Sequence, residues 1–359
     1  TEIYTRSIAA ASDVYKRQAI DLGTAKVLVF VNNKGVVLSE PSVIAVDVLK
    51  DEILAVGDEA KKLVGRTPGN VKAVMPLKDG VIADFPSTER MLKYFLDKSL
   101  SKALLKPDVL ICVPSRATQV EKRAVLQASE NAGAHRTYLI EEALAAAIGA
   151  GIDITDAGGE LIVDIGGGTT DIAVISMGQI IASTSVPVAG LTFDTAIKDY
   201  IRKRYGLLLG DNKAEEVKIK AGSTDFDGSI EVTGREISTG LPQKVFVPVG
   251  EIELAIKPYV DLIVDGVKKV LEVTPPELAA DIYEKQIILT GGGAYTIGLR
   301  QRLADKFQID VNIAENADQC VVIGTGRALT WLDEIDQGAD DSVKAKQKEL
   351  ENNEKLRRR

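Results

Sequence analysis

Histidine is almost missing from this chain: His135 is the only one in 359 residues, beside two cysteines and one tryptophan. A single histidine cannot act as the base of a serine-type triad and also fill a multi-histidine metal site. Cys112 and Cys320 lie far apart with no C-x-x-C spacing, which removes zinc ribbons and disulfide-held scaffolds and suits a reducing, cytosolic setting. No apolar run approaches the roughly 18–20 residues needed to span a bilayer. The longest candidate, Ala143–Ile152, is built of small residues and broken by glycine. Catalysis must therefore rest on carboxylates, hydroxyls, backbone amides and a bound metal.

The chain is 45% apolar and 27% charged, enough for two or more domains with their own cores. Its net charge of −8 argues against a general nucleic-acid binder. The charge is unevenly spread. Beyond Leu332 an acidic stretch (Asp333, Glu334, Asp336, Asp340, Asp341) gives way to seven Lys/Arg against three Glu in residues 343–359. Residues 336–359 read as a charged, basic tail and a candidate docking element. Residues 1–18 lack an initiator Met and an apolar h-region, so they are not a secretory signal and read as a disordered or foreign leader.

Two stretches share one pattern. Ala19–Val31 is an apolar approach, a turn at Gly23-Thr24 and a second apolar run; Leu161–Ser176 repeats this around Gly166–Thr170. Each has an aspartate at the turn's entry, Asp21 and Asp164, and helical patterns follow each, which predicts a duplicated α/β unit. Further strands are expected at Val36–Val46, Val109–Val113, Thr137–Ile140, Gln179–Val188 and Gln286–Thr290. Helical periodicity marks Ser87–Ser99, Ala117–Ala132, Ala143–Gly149, Phe193–Tyr205, Val249–Leu271 and Gly298–Phe307. The polar link Asp153–Gly159 is the expected boundary between 19–152 and 153–319.

Asp164-Ile165-Gly166-Gly167-Gly168-Thr169-Thr170-Asp171 is the most informative stretch. Three glycines let the backbone approach a ligand closely, with N–H groups free to meet phosphate oxygens. Asp164 at a strand end can hold magnesium through water. The competing reading is a Gly-rich turn capped by its aspartate. Asp21-Leu22-Gly23-Thr24-Ala25 offers the same chemistry more weakly, and two such hairpins facing each other could clamp a triphosphate and its metal. Gly291-Gly292-Gly293 follows an apolar strand, where a flat group can lie against backbone or a tight turn can form. Glu141-Glu142 opens a helix, either as carboxylates that polarise a water or as an N-terminal helix charge. There is no G-x-x-x-x-G-K-[ST], and G-x-G-x-x-G is missing after the first strand, so P-loop and dinucleotide folds are not expected.

These motifs together resemble the MreB family of bacterial actin-like proteins, in the superfamily of actin, the seventy-kilodalton heat-shock chaperones and sugar kinases. The likeness runs from about Ala19 to about Leu332. It is carried by Ala19–Ala25, Asp79–Phe85, Ile140-Glu141-Glu142 before Ala145–Gly149, Asp164–Thr170, Ser238–Pro242, Thr274–Leu278 and Leu289–Gly293. It implies an actin-like fold, two ribonuclease-H-like α/β halves around a nucleotide cleft, each with a small subdomain. It further implies ATP and Mg2+ as ligands, with Asp21 and Asp164 near the metal through water. Gly23, Thr24, Ala25, Gly166, Gly167, Gly168, Thr169 and Gly190 would lie around the phosphates, Glu215 and Lys218 at the ribose, and Gly291, Gly292 and Gly293 at the adenosine. Glu142, with Glu141 beside it and Thr169 assisting, would orient the attacking water.

The same resemblance implies slow ATP hydrolysis and homopolymer filaments that organise cell shape. The expected location is cytoplasmic, peripheral on the inner face of the cell membrane, with other cell-shape or cell-envelope proteins as partners and no nucleic acid. Leu104 and Leu105 would contact the anionic membrane surface together with Arg357, Arg358 and Arg359, a weak apolar loop supplemented by a basic tail. Lys26 stands where the family usually has Asn, Ala143 where it has Pro, and Asp171 where it has Glu. Lys26 keeps open a structural filament with little or no hydrolysis; the other alternative is a small-molecule kinase of the same superfamily.

Overall fold

Two strand-turn-strand hairpins seed two five-stranded sheets of the same design. The structure, a computed structural model, describes residues 17–66, 69–99 and 106–332. In the first sheet Arg17–Leu22 pairs antiparallel with Lys26–Val31, which pairs antiparallel with Gly35–Pro41. On its other side Arg17–Leu22 runs parallel to Asp108–Val113, and Arg136–Glu141 follows in parallel. In the second, Glu160–Ile165 pairs with Thr170–Ser176 and then Gln179–Val186, with Ile287–Thr290 and Val311–Ile313 parallel on the far side. Each sheet is thus a three-strand meander extended by two parallel strands, the duplication that the two Asp-Gly motifs mark.

The alternating apolar residues of each hairpin explain why both faces are covered. Ile20, Leu22, Val27 and Val29 pack against Met91, Leu92 and Phe95 of the helix Phe85–Ser99. In the second sheet Leu161, Val163 and Ile165 pack with Phe193, Ile197 and Ile201 of the helix Gly190–Tyr205 and with the long helix Val249–Val273.

The remaining faces meet through two helices of small residues. Ala143, Ala145, Ala146 and Ala147 of the helix Glu142–Gly149 pack on Ile162, Ala173 and Ile175 of the second sheet and on Cys112 of the first. The helix Cys320–Ala328 lies directly against it. A Cβ on Gly324 would sit 1.8 Å from the Ala145 carbonyl oxygen, and one on Gly149 1.8 Å from that of Cys320. After this helix the chain lies on the first sheet, where Ala328, Leu329 and Leu332 pack with Ala19 and Leu110.

Three differences from the sequence reading have local causes. The expected strand Val36–Val46 breaks after Pro41, and Ile44–Asp47 joins a small three-stranded sheet with Glu52–Val56 and Val71–Val74. At the break Ser42 donates its N–H to Ala25 O at 3.1 Å and its hydroxyl to Gly23 O, tying the chain to the first turn. The helix expected from Ala117 begins at Gln119, because Thr118 and Glu121 form a reciprocal capping box. The hairpin Ser229–Glu236/Pro242–Pro248 is absent from the expected strands although Ile230 and Val232 alternate with polar residues, and the helix Cys320–Ala328 shows no periodicity because Cys-Val-Val-Ile-Gly-Thr-Gly is apolar on every side.

The helix pair provides a test. Gly324→Ala should lower stability to urea by about 1–3 kcal/mol despite alanine's better helix propensity, because the methyl meets backbone. Gly69→Ala, where a Cβ meets nothing within 4 Å and no helix is capped, should stay within about 0.5 kcal/mol. Equal stability of the two variants would contradict this packing.

Candidate functional site

Asp21 and Asp164 are each the second-to-last residue of a central strand, so both carboxylates emerge where the hairpin turn begins. The two turns face each other across a cleft. A Cβ on Gly167 would lie 2.4 Å from the Ala25 side chain and one on Gly168 2.7 Å from Thr24 Oγ1, so only glycine fits at either place. Thr24 Oγ1 also accepts the Gly80 N–H at 2.8 Å, which brings the Asp79–Gly80 turn over the first hairpin.

Beneath the turns lies a floor of carboxylates. Glu142 is 8% exposed, Asp164 5% and Asp171 1%. Asp164 accepts from Thr290 Oγ1 at 2.7 Å, Asp21 from Cys112 Sγ at 3.3 Å, and Asp171 from Ser115 N and Ser185 Oγ. Desolvation is the first cause in every shift here. Burial pushes Asp21 up to about 6, with the Cys112 and Lys26 interactions opposing it. Burial carries Asp164 to about 7, against the Thr290 hydrogen bond and with help from Asp21 and Asp171. Glu142 is raised by burial and then by the charges of Asp171, Asp21 and Asp164. Like charges brought together out of water resist ionisation unless a cation joins them.

A cavity of about 510 Å³ rises from this floor, within the range of small-molecule sites. Its walls include Gly190 and Asp194 of one helix, Glu215 and Lys218 of the helix Asp211–Ser223, and Gly291, Gly292 and Gly293 after the strand Ile287–Thr290. Gly190 N donates to Gly166 O at 3.2 Å, and Lys218 Nζ to Gly190 O at 2.9 Å. Lys218 also lies 2.9 Å from the buried Asp194 carboxylate. Two ion pairs cross the mouth: Lys61–Glu215 at 2.6 Å and Lys26–Asp318 at 3.9 Å.

A family model for the MreB/Mbl protein matches residues 15–337. The chain belongs to this family. The cell shape-determining protein Mbl of Bacillus subtilis (strain 168) is 50% identical over 320 residues, covering 88% of this chain and 96% of Mbl. MreB of Escherichia coli (strain K12) is 45% identical over 324 residues, covering 88% and 93%. The crystal structure of MreB5 of Spiroplasma citri bound to AMPPNP superposes with a TM-score of 0.84 at 38% identity, covering 90% of this chain and 98% of that one. The fold is therefore actin-like.

Of the residues singled out from sequence, Asp21, Gly23, Thr24, Ala25, Glu142, Asp164, Gly166, Gly167, Gly168, Thr169, Gly190, Glu215, Lys218 and Gly291–Gly293 all line the one cavity. Glu141 does not: its side chain faces Lys122 at 4.0 Å, because it closes an edge strand while Glu142 opens the helix behind it. Leu104, Leu105, Arg357, Arg358 and Arg359 lie outside the described residues. Sequence reasoning missed Lys61, Asp194 and Asp318 in the walls and Cys112 in the floor. Cys112 sits in the apolar string Val109–Val113, which reads only as core.

The floor sets a pH dependence. Asp164 keeps its proton in the folded chain at pH values where the unfolded chain, near 3.8, has lost it. Its contribution to stability is thus present at low pH and falls as pH rises from about 4 through about 7. In metal-free and nucleotide-free protein, Asp164→Asn should flatten this fall and add on the order of 1–3 kcal/mol at pH 8 relative to pH 5. Urea unfolding at both pH values measures it; a variant whose loss of stability toward pH 8 is unchanged would contradict the account.

Proposed function

We propose that this actin-like cytoskeletal protein binds ATP with Mg2+ in the cleft between the Asp21 and Asp164 hairpins, hydrolyses it slowly and polymerises into membrane-associated filaments that organise cell shape. One observation carries the reading: two glycine turns meet so closely that a Cβ would fill the space between them, beside the half-buried Asp21 and the buried Asp164, both with raised pKa values. Cell-shape determination is the role in the names of the Mbl and MreB relatives, and AMPPNP occupies the Spiroplasma protein.

The residues present fit that ligand. The turns offer backbone N–H groups and the hydroxyls of Thr24 and Thr169 to phosphate oxygens. Asp21 and Asp164 are oxygen donors of the kind magnesium takes, directly or through retained waters. Glu215 would accept from ribose hydroxyls once released from Lys61, and Gly291–Gly293 let a flat base lie against backbone. When bound, Mg2+ and ATP supply the electrophilic phosphorus and the positive charge that favours ionised carboxylates.

Glu142 is then the residue placed to orient a water and accept its proton, since its carboxylate faces the cleft from the start of a buried helix. Thr169 assists from the second hairpin, where it lines the same cavity. Lys26 stands at the mouth facing Asp318, half exposed and free to turn toward an anion. Among the described residues no helix is long and apolar enough to cross a membrane, so contact with the bilayer would be peripheral. That part rests on the sequence of Leu104, Leu105 and the basic tail.

Sedimentation with ATP-Mg2+, ADP-Mg2+ or no nucleotide, with and without anionic liposomes and with phosphate release followed in parallel, tests the reading. Pelleting should depend on nucleotide and increase with liposomes. Glu142→Gln should retain ATP binding while phosphate release falls by about 100- to 10,000-fold. Unchanged phosphate release in that variant would remove Glu142 from the reaction, and turnover only with a small acceptor would establish a kinase instead.

A further inference from the structure

The cleft floor holds a second kind of chemistry that oxygen-loving magnesium does not require. Cys112 is the second-to-last residue of the strand Asp108–Val113, which runs parallel to Arg17–Leu22 with Ile111 opposite Ile20. That register sets Cys112 beside Asp21, and its Sγ lies 3.3 Å from Asp21 Oδ1. On the other side Arg136–Glu141 runs parallel, with Ile140 opposite Cys112, and Glu142 follows at the start of its helix. Three neighbouring strand ends thus deliver a carboxylate, a thiol and a carboxylate to one place. One ligand atom of each lies within 4.8 Å of the others.

We infer that this floor is also a site for a thiophilic divalent cation of the zinc class, held by Asp21, Cys112 Sγ and Glu142 with a fourth position open to the cleft. Three protein ligands and one open position are the usual arrangement of an accessible zinc site. Ligand atoms around a tetrahedral zinc stand roughly 3.5 Å apart, so the Asp21–Cys112 edge is already near the required span. With every pair within 4.8 Å, Glu142 closes to that span by moving roughly 1.3 Å at most. Magnesium favours oxygen ligands and retained waters, so the thiol is the element that selects the softer ion.

A second observation points to a cation here. The Glu142 side chain is 8% exposed, and no hydrogen bond to its carboxylate is found among the described residues. The charged neighbours that act on it are Asp171, Asp21 and Asp164, all acids. A buried carboxylate facing three others and no donor lacks a counter-charge, and a cation shared with Asp21 and Cys112 supplies it. On binding, the Sγ–H bond breaks, its proton leaves to solvent and an Sγ–metal bond forms, with no change of oxidation state. Binding is therefore stronger at higher pH.

The site stands on the floor geometry alone. Only its consequence rests on the nucleotide reading: a zinc-class ion there engages Asp21 and Glu142, so it excludes the productive ATP-Mg2+ arrangement and arrests turnover.

Cobalt(II) reports thiolate ligation directly, and Cys320 is the only other cysteine. Added to reduced, nucleotide-free protein in metal-free buffer, one equivalent of Co2+ should give an intense near-ultraviolet thiolate-to-metal band that Zn2+ removes by displacement. The band should survive Cys320→Ser and vanish in Cys112→Ser. Zn2+ affinity should fall in Cys112→Ser by more than the roughly 10–100-fold that a change behind the ligands costs. Circular dichroism confirms that this variant is folded, and Glu142→Gln, which keeps the cysteine, should weaken cobalt binding independently. No thiolate band, or a band lost with Cys320 instead, overturns the site. If the band forms while Zn2+ leaves phosphate release unchanged, the exclusion of ATP-Mg2+ is overturned. Absence of phosphate release without zinc instead refutes the hydrolysis part of the nucleotide reading, while the cobalt result decides the metal site.

Discussion

Carboxylates that converge out of water are the constraint around which this molecule is arranged. Asp21, Asp164, Asp171 and Glu142 come from four different segments, yet they share one floor where burial raises every pKa and the neighbouring acids raise Glu142 and Asp164 further. Such an arrangement works against the stability of the bare chain, because each ionised member repels the rest. The surrounding fold must over-determine it, and a ligand bringing positive charge gains whatever the bare floor loses. Perturbed groups of this kind mark functional sites when they line a cleft, as Asp21, Asp164 and Glu142 do here.

The architecture explains how the floor is held. Parallel strand ends place side chains side by side at fixed spacing, and both sheets send their central strands toward the same cleft. The helix Glu142–Gly149 carries Glu142 and at the same time packs its alanines between the sheets. Its backbone contact with the helix Cys320–Ala328, permitted by Gly149 and Gly324, ties that carboxylate to both halves of the protein. Across the mouth, Lys61–Glu215 and Lys26–Asp318 are ion pairs partly exposed to solvent. Surface pairs of this sort contribute little to stability and yield readily to a competing anion or hydroxyl.

Much of the site was legible because its chemistry is local. Asp21 with Gly23 and Asp164 with Gly166–Gly168 are contiguous strings, and a glycine turn entered by an aspartate announces itself in any sequence. The duplicated hairpin predicted the duplicated sheet for the same reason. What the sequence hid is what depends on register and packing between distant segments. Cys112 reads as core because it stands among Val109, Leu110, Ile111 and Val113, and only the parallel pairing with Arg17–Leu22 sets it against Asp21. Lys61 and Asp318 belong to no motif of their own and reach the cleft only through packing. The two adjacent glutamates were inseparable on paper; the end of a strand between them sends Glu141 toward Lys122 and Glu142 into the cleft.

The central claim is that the carboxylate floor and the paired turns form one site for a magnesium-bound nucleoside triphosphate. Calorimetric titration of ATP into the protein, once with Mg2+ and once with EDTA, tests it most directly. The account predicts saturable one-to-one binding with Mg2+ and a loss of affinity of about tenfold or more without it, equivalent to at least about 1.4 kcal/mol. Equal affinity in the two titrations, or no binding in either, would contradict it.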